Sequence, residues 1–314
     1  MRPDRVTLAA FVTFVLIGGA VSVAIRLGSF ELPPLWAATL RYAGATVAFS
    51  AIAIALRIPF PRGVHLLGAT LMSLTFVVST ALFYVGVSTT SASMGAIAFA
   101  LMPLATLALA ATIGIERFTF RGAAGALVAA VGAVVIVGDQ LGAAVPLSGL
   151  LALGGAMVFG AATSVVIKRL PPGSPISANA AAGLVVTPLI FGLTLVTGES
   201  LALPNRPETW AALAFLILAG SVVLFPLALF IINRWTASGY SYTGLLEPLA
   251  AVALAAIILG EPIRLTFVIG GAIVLMGVWV GALSSSAVPS PVSAVIEAEL
   301  TAPVSVVVDE GVAT

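Results

Sequence analysis

The sequence predicts an all-α integral membrane bundle of ten transmembrane helices, built as two inverted five-helix repeats. Three observations carry that expectation. Of 314 residues, 61% are hydrophobic and only 8% are Asp, Glu, Lys or Arg, with a mean hydropathy of +1.21. Apolar runs long enough to cross a bilayer recur along the first 284 residues, and a segment of the first half returns in the second. Soluble globular chains carry about a quarter charged residues, so this chain cannot coat a water-facing surface and its solvent is largely lipid. That composition excludes a soluble enzyme, a secreted disulfide scaffold and a nucleic-acid binder. The net charge of +1 creates no long-range field to recruit a partner. The absence of cysteine excludes disulfides, thiolate nucleophiles and Cys-ligated metals.

A hydrocarbon core about 30 Å thick is crossed by about 20 helical residues. The longest interval free of Asp, Glu, Lys and Arg, Gly63 to Ile115, holds 53 residues, too many for one span. The small, polar stretch Gly86-Val87-Ser88-Thr89-Thr90-Ser91-Ala92-Ser93 divides it. The same reasoning along the chain gives helices at 6–27, 34–56, 64–86, 93–115, 120–138, 147–168, 176–197, 208–233, 241–259 and 264–284. Connectors this short predict that sequential helices pack as antiparallel neighbours. The first helix follows Met1-Arg2-Pro3-Asp4-Arg5, yet its apolar run is longer than a signal-peptide core and it is read as retained.

Lys and Arg collect in cytoplasmic loops. With the N-terminus inside, the inner ends hold nine: Arg2, Arg5, Arg57, Arg62, Arg117, Arg121, Lys168, Arg169 and Arg234. The outer ends hold three, Arg26, Arg206 and Arg264. The expected location is therefore the cell (inner) membrane, multi-pass, with both termini cytoplasmic. Beyond Ser284, Ser, Pro, Val and Ala mix with acidic residues and no span is long enough to insert, so 285–314 reads as a disordered cytoplasmic tail.

Leu101 to Gly132 laid over Leu246 to Gly277, a shift of 145 residues, matches at 12 of 32 positions. Pro103 meets Pro248, Glu116 meets Glu261, Gly125 meets Gly270 and Gly132 meets Gly277. The shift spans five helices, an odd number, so the halves 1–140 and 141–284 are expected in opposite orientations, as in secondary transporters that rock one repeat against the other.

Leu245-Leu246-Glu247-Pro248, Leu259-Gly260-Glu261-Pro262, Gly270-Gly271-Ala272 and Gly277-Val278 resemble the ninth and tenth helices of the EamA branch of the drug/metabolite transporter superfamily. Leu32-Pro33-Pro34 with Leu40-Arg41-Tyr42 is similar to that family's second helix, and Thr89 to Ser93 and Gly114-Ile115-Glu116-Arg117 fall at corresponding places around the fourth. The resemblance covers residues 6–284. It implies a ten-helix transporter of small molecules, and export as the direction. Gly18-Gly19 stands where the family often has Trp-Gly, and Arg26 where Lys is common.

Ionisable groups within spans are functional hypotheses by default. Glu247 lies in the ninth helix directly before Pro248, which frees the Gly244 carbonyl, and a carboxyl group at that depth is a candidate proton-coupling site; the alternative is a hydrogen bond to backbone released at the kink. Arg41, in the second helix, either snorkels to the nearer interface or faces the bundle as a carboxylate binder. Tyr84 and Tyr242 complete the substrate or coupling-ion candidates, and Pro103 and Pro248 are candidate helix breaks. Tyr240 and Asn179 read as interface anchors. Glu116 and Glu261 read as turn-capping acids paired with nearby Arg. The spacing of Gly277 and Gly281, and of Gly18 and Ser22, allows close helix approach.

No cofactor is expected. The lone His65 has no ligating companions in sequence, so no metal is expected, and no catalytic triad or phosphate-cradling loop is present, so the chain is not read as an enzyme. The expected partners are a small-molecule substrate, protons and the lipid bilayer, with no nucleic acid. The function that follows is a secondary exporter of small amphipathic metabolites such as amino acids, by alternating access. An importer of the same type and a non-transporting membrane scaffold stand as alternatives.

Overall fold

The computed structural model describes residues 3–90, 92–137, 146–170, 173–259 and 263–283. Among them every regular element is helical. The helices are α1 (Arg5–Gly28), α2 (Pro34–Ala55), α3 (Val64–Thr89), α4 (Ala92–Ala100), α5 (Met102–Thr112), α6 (Phe120–Val137), α7 (Leu147–Arg169) and α8 (Pro175–Thr197). They continue with α9 (Pro207–Ile217), α10 (Leu224–Arg234), α11 (Ala237–Ser241), α12 (Thr243–Leu259) and α13 (Leu265–Val278). Leu218–Val223, joining α9 to α10, and Trp279–Leu283, following α13, are π-helical. Helical segments thus occupy all ten expected intervals. Seven of the described helices are long and apolar enough to cross a membrane. Large apolar side chains point outward along them, as Ile54 at 78%, Val196 at 85% and Ile257 at 80% exposure do. A soluble protein does not tolerate so continuous an apolar exterior.

Local chemistry sets the helix starts. Asp4 caps α1 by accepting from the Thr7 amide at 2.8 Å, and the Thr7 hydrogen bonds, with the Arg234 guanidinium 2.9 Å away, hold its carboxyl below the usual carboxylate range. Pro34, Pro175 and Pro207 open α2, α8 and α9, where a missing N–H costs nothing. The chain leaves α8 through Gly198, in the left-handed conformation that favours glycine (φ +70°).

The expectation that sequential helices are neighbours is corrected by the packing. The most extensive contacts join α3 to α7, α6 to α13, α2 to α8 and α1 to α12, each pairing a helix of the first half with one of the second. The reason is close approach at small residues, which apolar patterning does not reveal. Gly125, Gly132, Gly270 and Gly277 bring α6 and α13 into backbone contact. A Cβ on Gly277 would lie 2.5 Å from the Ala129 amide nitrogen and 2.6 Å from the Gly125 carbonyl oxygen, and one on Gly132 would lie 2.6 Å from the Gly270 carbonyl oxygen. Of the spacings noted in the sequence, Gly277 and Gly281 both lie against Gly125, whose added Cβ would be 2.6 Å from the Gly277 carbonyl oxygen and nearer still to the Gly281 amide nitrogen.

The two proline positions differ. Pro103 opens α5 just after a break at Leu101 that separates it from α4. Pro248 lies inside an uninterrupted α12, whose preceding break falls at Tyr242. The proposed matched pair of breaks thus occurs in the first half only at its proline, and in the second half six residues before it. Glu261 and residues 284–314, including the expected tail, lie outside the described residues.

Candidate functional site

A cavity of ≈ 160 Å³ lies between α2, α3, α7, α8 and α10, with Tyr240 of α11 closing one side. Its wall is mostly aromatic and aliphatic: Tyr42, Phe49, Phe76, Met72, Ile167, Val186, Phe225 and Leu229 among others. Thr46, Ser73, Thr163 and Asn179 provide the polar points. Each already donates to a carbonyl one turn back on its own helix: Thr46 Oγ1 to Tyr42 at 2.7 Å, Ser73 Oγ to Ala69 at 2.7 Å, Thr163 Oγ1 to Phe159 at 3.0 Å and Asn179 Nδ2 to Pro175 at 2.7 Å. A concave, chiefly apolar space with a few fixed polar groups suits a small amphipathic solute.

Both intramembrane charges stand at the margin of this cavity and neither lines it. The Arg41 guanidinium stays inside the bundle and does not snorkel. Its Nη2 donates to the Gly220 carbonyl at 2.5 Å and its Nε to Ser221 Oγ at 3.0 Å. Gly220 and Ser221 belong to the π-helical segment, where widening of the turn leaves backbone oxygen available to a side chain. Ser221 Oγ in turn donates to the Leu216 carbonyl at 3.0 Å. The guanidinium carbon lies 5.6 Å from the Tyr42 ring centre and 5.7 Å from that of Phe225, two rings stacked 6.3 Å apart on the cavity wall. Such cation–π contact adds to the hydrogen bonds that hold Arg41.

Glu247 is crowded by protein yet keeps partial accessibility, as expected of a group beside an internal opening. The Thr243 hydroxyl is within hydrogen-bonding reach of both the Glu247 carboxylate and the Tyr240 hydroxyl, and the Arg41 charge acts on Glu247 through space. The carboxylate lies over α1: a Cβ on Gly18 would sit 2.6 Å from Glu247 Cγ and 2.9 Å from Oε2. Gly18, where the resembling family often carries Trp, is therefore the position that makes room for Glu247.

The remaining candidates are occupied by protein partners. The Tyr84 hydroxyl donates to Glu199 Oε1 at 3.2 Å, and the Tyr242 hydroxyl donates to the Gly122 carbonyl at 3.1 Å, joining α6 to the break before α12. Asn179 and Tyr240, read from sequence as interface anchors, instead line the cavity. Glu116 does not act through its neighbouring arginines. It accepts from the Ala237 amide at 2.7 Å, from the Ser238 amide at 3.3 Å and from the Ser238 hydroxyl, capping α11. Lys168 Nζ donates to the carbonyls of Ile232, Asn233 and Trp235 at 2.7–3.0 Å, satisfying the C-terminal end of α10. Phe49, Phe76, Phe225 and the Gly220-Ser221 pair escaped notice in the sequence. Apolar rings are indistinguishable there from lipid-facing ones, although Gly-Ser inside a long apolar run is a usable signal. Among the described residues no group of three or more His, Cys, Asp or Glu could hold a metal.

Arg41→Lys is expected to lower the thermal unfolding midpoint in detergent by an amount equivalent to about 1–3 kcal/mol, because one nitrogen replaces the separate Nε and Nη2 donors and the planar group that lies against the Tyr42 and Phe225 rings is lost. Ser221→Ala, which removes one of those oxygens, should cost less in the same measurement.

The model of the EamA-like transporter family matches residues 6–138 and again 147–282. A crystal structure of a protein 18% identical in sequence superimposes with a TM-score of 0.75, covering 91% of this chain and 100% of its own, which shows a shared fold. No curated protein matches by sequence.

Proposed function

Since the chain belongs to the EamA-like transporter family, we propose that it is a secondary active exporter of small amphipathic metabolites such as amino acids, working by alternating access and coupled to protons. The observation that carries this reading is the apolar cavity between helices of both repeats, with one cation and one carboxylate at its margin. An apolar body fits the wall. A zwitterionic head would meet the field of Arg41, which lies against the Tyr42 and Phe225 rings, and that of Glu247, whose charge acts on Tyr240. A multiply charged phosphate ester would want several Lys or Arg on the cavity wall, and among the described residues none lines it.

Ten crossings with inverted halves are part of the proposal, and side-chain contacts support them. Asp4 reaches Arg234, Glu116 reaches Ala237 and Ser238, and Lys168 reaches 232–235, gathering at one end the loops that ten crossings assign to the inner side. Glu31 reaches Asn205 and Arg206, and Glu199 reaches Leu35 and Trp36, gathering loops assigned to the outer side. The inner face carries the excess of Lys and Arg, which supports an inner-membrane location with both termini cytoplasmic. The division into 1–140, 141–284 and a cytoplasmic tail belongs to the same reading.

A resistance screen on overexpression tests substrate and direction together. Cells should survive one class of toxic metabolite and accumulate less of it. Heightened sensitivity and accumulation would mean import, and purified protein that moves no candidate in proteoliposomes would favour a scaffold. A reporter fused after Ser286 should be active only in the cytoplasm.

A further inference from the structure

At the Glu31 and Glu199 face each repeat lends a carboxylate to backbone amides of the other, one capping α2 and one holding the chain that enters α9. The residue before α2 is Pro33 and the residue before α9 is Arg206, and neither side chain accepts from its helix. Both helices open on proline, so each presents free amides and the positive end of its dipole. Glu199, just beyond α8, supplies the acceptor for α2: its Oε2 takes the Trp36 amide at 2.8 Å and its Oε1 the Leu35 amide at 3.3 Å. Glu31, just before α2, holds the chain entering α9: its Oε1 takes the Asn205 amide at 2.5 Å and its Oε2 the Arg206 amide at 3.4 Å, with the Thr209 side chain of α9 also bonded to it.

Every one of these bonds crosses from the 6–138 repeat to the 147–282 repeat. Two more do the same, from Tyr84 Oη to Glu199 at 3.2 Å and from Trp36 Nε1 to the Ala202 carbonyl at 2.7 Å. Charge-assisted bonds from backbone amides to carboxylates are among the stronger polar contacts available at a surface. One repeat cannot tilt away from the other at this face without breaking the whole set.

We infer that Glu31 and Glu199 form a reciprocal latch that holds the outer face of the transporter closed, and that its release is the step that opens the cavity outward. The inference rests on the alternating-access reading for its meaning, and on the cross-repeat contacts for its existence. Glu31 and Glu199 set the balance between closed and open states; they do not touch substrate.

The absence of cysteine permits a direct test. In full-length protein carrying Ala182→Cys on the cavity wall, a membrane-impermeant maleimide reports access from outside in intact cells and from inside in inverted vesicles. With Glu31→Ala and Glu199→Ala combined, outside labelling should rise by about tenfold, the population shift set by losing bonds of this type, while inside labelling falls. Glu199→Gln, which keeps an oxygen acceptor and loses the charge, should shift both rates the same way by less, and it serves if the double variant does not fold. Unchanged outside labelling would overturn the latch. So would a rise on both sides together, which marks general loosening. The labelling needs no substrate, so failure of the latch and failure of the transport reading are separate results.

Discussion

Replacing Glu247 by glutamine is expected to abolish proton-driven transport while leaving the protein folded. Gln has nearly the same shape, can still accept from Thr243 and still fits over Gly18, so packing between α1 and α12 survives. On the proton-coupled reading proposed above, what is lost is the group that binds and releases the proton. Flux of the metabolite identified by resistance should fall by about a hundredfold or more in proteoliposomes with an imposed proton gradient, the scale of removing a positioned proton-transfer group. Counterflow exchange of the same metabolite without a gradient should persist, because that cycle needs no net proton movement. Retention of full gradient-driven flux would sink the proton role, and loss of counterflow together with monodispersity would assign Glu247 to structure.

The largest effect on stability is expected at the α6–α13 crossing. Gly277→Val would drive side-chain atoms into the Ala129 amide and the Gly125 carbonyl, which are backbone and cannot rotate aside. The two helices must separate, at a cost of about 3 kcal/mol or more. The readout is a large drop in the thermal unfolding midpoint in detergent, or no recoverable folded protein. Gly271→Ala is the matched control on the same helix. Its added methyl would meet Leu249 Cδ2 at 3.4 Å, an ordinary contact, and the midpoint should hardly move. Equal losses in the two variants would mean that the close crossing is not what sets the effect, since helix propensity alone favours both replacements over glycine.

What charge made legible in the sequence was two residues to examine, whose service to substrate or proton belongs to the proposal. Glu247 and Arg41 stand out because an ionisable residue in an apolar run is rare and expensive, and the structure places the two within electrostatic reach of each other beside one cavity. The aromatic wall was not legible, since Phe49, Phe76 and Phe225 differ from lipid-facing phenylalanines only in which way the helix turns. Asn179 and Tyr240 were read as interface anchors for a related reason: nearness to a helix end in sequence does not say which face a side chain takes. Glu31 and Glu199 carry no signal in the sequence, because their partners are 163–175 residues away.

By itself the sequence determined a helical membrane chain, the intervals its helices occupy, the internal repeat and the two charges worth mutating. Those properties follow from composition, from the length needed to cross hydrocarbon and from identities at fixed spacing, all of which are local or periodic. Only the tertiary structure decided which helices touch, that α1 lies on α12 and α3 on α7, and which carboxylates cap which helix. In a bilayer nearly every helix face is apolar, so hydrophobic pattern carries no instruction about partners. Small residues and single polar contacts supply it, and these become visible only when distant segments meet.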